Sequence, residues 1–117
     1  DAQESRGLGD VYKRQLKLGG RGRVEQKVSG LRPRTTYTLS GWLRSSDGAE
    51  TAVLGVKDHG GPEVSASSRQ AEWTRVTVEF TTGPADTSAT VFVAKATDGP
   101  GAVFADNLGL PRVPPAR

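Results

Sequence analysis

Trp42 and Arg44 stand two residues apart in the run Thr36-Tyr-Thr-Leu-Ser-Gly-Trp-Leu-Arg44. In an extended chain that spacing puts both side chains on one face, with Thr38 and Ser40 in line behind them. An indole beside a guanidinium and hydroxyls is a set of groups suited to holding a sugar. The ring stacks on the apolar C–H face of a pyranose, and the polar neighbours bind its hydroxyls. Gln26, Lys57 and His59 are further hydrogen-bonding side chains in or just after strand-like segments, and they complete the candidate set. Trp is mostly buried in folded proteins, so an indole covered by a loop or a second layer is the competing placement for Trp42.

Other chemistries find less support. His59 is the only histidine and there is no cysteine, so imidazole clusters, thiolate metal sites and disulfide frames are excluded. Ser65, Ser67 and Ser68 follow His59 but sit in no nucleophile-elbow motif. Hydrolysis of a glycosidic bond needs two carboxyl groups about 5–9.5 Å apart on rigid elements. The acids here fall in turns (Asp47, Asp58, Asp86, Asp98) or on outward strand positions (Glu25, Glu79). The glycine-rich run Gly19-Gly20-Arg21-Gly22 lacks the following helix and lysine of a phosphate loop. No catalytic residue is assigned, and the chain reads as a binding module and not as an enzyme.

The elements that would position these groups are strands. In Thr36–Arg44, Tyr37, Leu39 and Leu43 alternate with the polar set, a period of two. The same alternation marks Leu16–Leu18, Arg23–Ser29, Ala52–Lys57, Glu63–Ser68, Trp73–Thr82, Ser88–Thr97 and Ala102–Leu110, with Gly, Pro and Asp turns between them. Tyr37, Trp73 and Phe80 are expected in the core, and Phe92 and Phe104 are weaker stacking candidates than Trp42. Lys57 and Lys95 are expected as solvated strand charges. Ala52–Ser68 and Trp73–Thr97 read as hairpins. About eight strands without a helix predict an all-β protein, an antiparallel β-sandwich of the jelly-roll kind.

The 117 residues suit one core. No apolar run is long enough for a membrane span, and no partner membrane is expected. The net charge of +3 is uneven: residues 1–34 hold nine Lys/Arg against four Asp/Glu, whereas residues 35–117 hold seven against nine. Basic residues without interleaved aromatics or a recognition helix do not make a nucleic-acid reader. Residues 1–15 show neither alternation nor a helical face, and resemble the translation of a sequencing adapter. They are expected to be a non-native or disordered leader that replaces the true start of the domain. The domain is assigned to 16–110, and the proline-rich 111–117 reads as a linker or tail.

One series of residues is similar to a known family. It runs Val24-x-Gln26-x-Val28-x-Gly30-Leu31-x-Pro33-x-Thr35-x-Tyr37-Thr38-Leu39-Ser40-Gly41-Trp42, then Leu54-Gly55-Val56-Lys57. It continues through Trp73-Thr74-x-Val76-Thr77-Val78-x-Phe80-Thr81-Thr82-Gly83 to Phe104-x-Asp106-Asn107-Leu108-x-Leu110. Over roughly 16–110 this resembles the carbohydrate-binding modules of families 4 and 9, which implies a galactose-binding-like jelly roll. The resemblance also implies a non-catalytic module that targets an attached catalytic domain to a polysaccharide, in a secreted or cell-surface protein. Asp106 resembles a family position that helps to hold a structural calcium ion. The family's other ligands come from an opening segment of Asn-x-x-Phe-Glu character that this sequence lacks, so the implied site is incomplete. The alternative is a spacer or protein-interaction sandwich with no glycan site, and the exposure of Trp42 separates the two.

Overall fold

The structure is a computed structural model that describes residues 16–110 in full and residues 10–12 as backbone. The remainder of the leader assigned to 1–15, and the linker assigned to 111–117, lie outside the described residues. Among the described residues there are nine strands: β1 Asp10–Tyr12, β2 Leu16–Leu18, β3 Gly22–Ser29, β4 Thr36–Ser45, β5 Ala52–Lys57, β6 Val64–Ser68, β7 Thr74–Thr81, β8 Ser88–Lys95 and β9 Val103–Gly109. No described residue is helical. Eight of the strands fall where alternation placed them, with ends moved by a residue or two. The ninth, β1, arises inside the segment set aside as a leader, where Asp10 and Tyr12 pair antiparallel with Gly109 and Leu108.

The strands form two packed antiparallel sheets. One runs β1-β9-β4-β7, with β2 pairing the same edge of β9 beside β1; the other runs β3-β8-β5-β6. Only β5–β6 is a hairpin. The expected hairpin over Trp73–Thr97 does not form. β7 pairs β4 in one sheet and β8 pairs β3 and β5 in the other, so Gly83-Pro84-Ala85-Asp86 carries the chain across the sandwich. A turn of those residue types is equally able to reverse a chain within a sheet or between sheets, and only the pairing decides.

β4 is the centre of the five-stranded sheet, and its burial follows its alternation: Tyr37, Leu39, Gly41, Leu43 and Ser45 are buried. The side chains of Leu39 and Leu43 meet the inward sets Leu54/Val56 of β5, Val91/Val93 of β8 and Val78/Phe80 of β7 in one cluster. Each such burial contributes about 1.5–3 kcal/mol from the area withdrawn from water. Tyr37 is fully buried yet not unpaired, because its hydroxyl accepts the Arg32 N–H at 2.9 Å.

Two glycines permit contacts a side chain would block. A Cβ on Gly41 would lie 2.7 Å from Leu108, and one on Gly55 would lie 2.3 Å from the Phe92 ring. Leu108 reaches Gly41 because β9 contains a bulge. Asn107 adopts φ 52°, the register against β4 shifts between Ser40 and Trp42, and the extra residue resets the alternation. Ala105, Leu108 and Leu110 are then all buried, while Phe104 and Asp106 face outward.

Lys95 departs from expectation. It lies in phase with Val91 and Val93 on the inward face of β8, and it is 1% exposed. Its ammonium donates to the carbonyls of Gly99 at 2.6 Å and Gly19 at 3.3 Å, and lies 3.5 Å from the buried Glu50 carboxylate. The Thr97 hydroxyl and the Gly101 N–H also donate to Glu50. A buried charge persists only when paired in this way. A hollow opens between β2 and β3. Val24 is 42% exposed there, and Leu16, Val24, Gln26, Leu54, Val91 and Leu108 line this apolar hollow.

A candidate carbohydrate-binding face

The outer face of the five-stranded sheet gathers rings and cations. Register sets its rows. Trp42 of β4 lies opposite Arg75 of β7 and Asp106 of β9. One row further along, Arg44 lies opposite Phe104, and Phe104 lies opposite Lys17 of β2. Trp73 immediately precedes β7 and continues that row beyond Arg44. Neighbouring strands lie about 4.8 Å apart, so side chains in one row touch across the sheet.

They do so as alternating cations and rings. The Arg44 guanidinium carbon lies 4.3 Å from the Phe104 ring centre and 5.6 Å from that of Trp73. The Lys17 ammonium lies 6.0 Å from Phe104 on its other side. Each contact places a positive charge against a ring's negative π face. Trp42 is 40% and Trp73 37% exposed, so both indoles keep surface for a ligand. Beyond Trp42 the face turns to hydroxyls: Ser40 opposite Thr77, then Thr38 opposite Glu79, then Thr36 bonded to Thr81 at 2.9 Å. The result is a shallow face with two exposed indoles, donors from arginine and hydroxyl groups, and acceptors from Asp106 and Glu79.

Of the five carbohydrate contacts expected from sequence, the structure brings together Trp42 and Arg44. Gln26 lies on β3 in the other sheet, opposite Val91 and at the apolar hollow. Lys57 lies on the far side of the sandwich, where its ammonium sits 2.7 Å from Glu25 and that bond holds the Glu25 carboxyl below its usual range. His59 is 3% exposed. Its ring nitrogens face the carbonyls of Thr81 and Pro62 at 3.2 and 2.9 Å, and its ring packs 5.1 Å from Phe80. The ring is buried and both nitrogens face backbone carbonyls away from solvent, so His59 is a structural residue. Trp73, expected in the core, is on the face instead. Phe92, a weaker candidate, is buried under Arg23, whose guanidinium carbon is 4.3 Å from its ring.

Phe104, a weaker stacking candidate from sequence, lies on the face, whereas Lys17, Trp73 and Arg75 were missed as companions of Trp42. Each is placed by inter-strand register, to which a single strand's period is blind. Asp106 stands beside Trp42, and among the described residues no group of three or more His, Asp or Glu is arranged to hold a metal. The described acids of this face, Asp106 and Glu79, are too far apart to act as a carboxylate pair. Asp106 and Glu79 lie on opposite sides of β4, and their rows are four residues apart, about 13 Å along the strand.

Comparison with protein families finds no matching family. Among curated proteins, the chain is 35% identical over 95 residues to a keratan-sulfate endo-1,4-beta-galactosidase of Sphingobacterium multivorum. That match takes in 81% of the chain and 22% of the relative, so the chain spans about a fifth of the relative's length. Among solved structures it is similar to TmCBM61 in complex with beta-1,4-galactotriose, with TM-score 0.62 and 20% identity over 85% of this chain and 69% of that one. It is similar to a family 16 carbohydrate-binding module, with TM-score 0.57 and 25% identity over 82% and 74%. A CBM4 structure gives TM-score 0.64 and 13% identity over 85% and 70%. The two-sheet architecture described above is thus the jelly-roll fold of carbohydrate-binding modules.

Proposed function

We propose that this chain is a glycan-binding accessory module that holds a galactose-containing polysaccharide against the outer face of its five-stranded sheet. The observation that carries the reading is Trp42, an indole exposed at the centre of that face and flanked by Arg75 and Asp106. A spacer sandwich has no use for such a ring, and a large exposed aromatic with hydrogen-bonding groups around it is the chemistry of a sugar platform. The galactose preference is drawn from two proteins it resembles, one solved with a galactotriose and one named for cleaving a galactoside bond.

In this reading the module is non-catalytic and works by raising the local concentration of an attached catalytic domain at its substrate. Its setting is extracellular, where such polymers are met. Affinity gel electrophoresis of the full chain against soluble galactans and other polysaccharides tests this. At least one galactan should retard the chain, and Trp42→Ala should weaken binding about tenfold or more at unchanged thermal midpoint. A folded chain retarded by no glycan would contradict the reading.

A further inference from the structure

Among the described residues, three cations on this face have no acidic partner. The ion pairs among the described residues use Arg21, Arg23, Lys57 and Lys95; none uses Lys17, Arg44 or Arg75. The described acids on this face, Asp106 and Glu79, lie within ion-pair distance of no described cation. Arg44 is the most constrained of the three. Phe104 and Trp73 flank its guanidinium, which fixes the group in place and lowers the entropy it would lose on binding a ligand. A guanidinium packed against rings keeps N–H donors at its edge, and that fork matches the oxygens of a carboxylate or a sulfate. Lys17 lies two strand spacings from Arg44 across Phe104, about 10 Å, and Arg75 lies diagonally from Arg44 beside Trp42. A neutral sugar needs hydrogen-bond donors here but not three uncompensated charges.

We propose that this face binds an anionic glycan, with Arg44 receiving an oxyanion substituent of the sugar chain and Lys17 and Arg75 flanking it. The inference rests on the glycan-binding reading above and adds the ligand's charge. Trp42 carries the sugar ring, and Arg44 selects for its substituent. A sulfate ester and a uronate carboxylate share the required chemistry.

The test compares a sulfated galactan with the same polymer after desulfation, and a uronic-acid polymer with its carboxyl-reduced form, by titration calorimetry on the full chain. An anionic form should bind at least tenfold tighter than its neutral counterpart at low salt, and that ratio should fall toward one in 0.5 M salt as the charges are screened. Which pair shows the ratio identifies the oxyanion. Arg44→Gln should collapse the ratio, while Lys17→Gln and Arg75→Gln should each lower it. If Arg44→Gln does not fold, the latter two decide. Equal, Trp42-dependent binding of both forms would overturn the inference and leave the glycan site standing. A ratio unchanged in all folded variants would overturn it too, as would equal affinity for a single-stranded oligonucleotide of matching charge. Binding of no polymer by the folded chain would instead overturn the glycan reading itself.

Discussion

At the scale of single residues, a side chain's surroundings separate a ligand group from a structural one. Trp42 and His59 were both attractive as sugar contacts, since both carry rings with polar handles. The structure parts them: the indole keeps an open surface, and the imidazole has both nitrogens against backbone carbonyls. Replacing His59 with Leu would remove the ring N–H that donates to the Thr81 or the Pro62 carbonyl and cost about 1–3 kcal/mol. Chemical denaturation should show that loss, and glycan affinity of the folded protein should change by less than about twofold. The Trp42–Arg44 pair was legible because two residues two apart on a strand share a face whatever the strand pairs with. Trp73 was not, because its partnership with Arg44 exists only in the register that sets Trp42 opposite Arg75.

At the scale of elements, alternation locates eight strands and also sets the direction of the side chains on them. Lys95 shares the phase of Val91 and Val93, so its inward direction follows from the period alone. What the period does not supply is the ring of acceptors that makes a buried ammonium tolerable: Gly19, Gly99 and Glu50 come from three separate loops. The Asn107 bulge is likewise silent in the sequence, yet without it Leu108 would face solvent.

The buried pair yields a stability prediction. Bonding from the Thr97 hydroxyl, then the Gly101 N–H and the Lys95 charge, holds the Glu50 carboxyl below its ordinary value of 4.5 despite its burial. A group whose folded value is depressed contributes stability that is fully present above its unfolded value and is lost as pH falls through the folded one. The thermal midpoint should therefore decline below pH 4.5, and Glu50→Gln should flatten that decline. Lys95→Met, which leaves a buried carboxylate unpaired, should lower the midpoint at pH 7 by roughly 10 °C or more. The double variant Lys95→Met/Glu50→Gln should recover part of the loss, and no recovery would contradict the pairing.

At the scale of the whole molecule, the two sheets present unlike outer faces. On the four-stranded sheet, Phe92 is closed over Gly55 and beneath Arg23, and the nearby charges of Glu25 and Lys57 neutralise each other. On the five-stranded sheet both indoles are open, and Lys17, Arg44 and Arg75 have no ion-pair partner among the described residues. That asymmetry is what the proposed placement of the ligand on one side of the sandwich rests on. The central claim is thus a claim about place. The chain has only two tryptophans, and both lie on the proposed face, so a nitrogen–proton NMR titration with a galactan oligosaccharide reads it directly. Both indole N–H resonances and the amides around Trp42, Arg44, Arg75 and Phe104 should shift together along one binding curve. Shifts confined to the four-stranded sheet, or to the hollow between β2 and β3, with both indoles unmoved, would contradict the account.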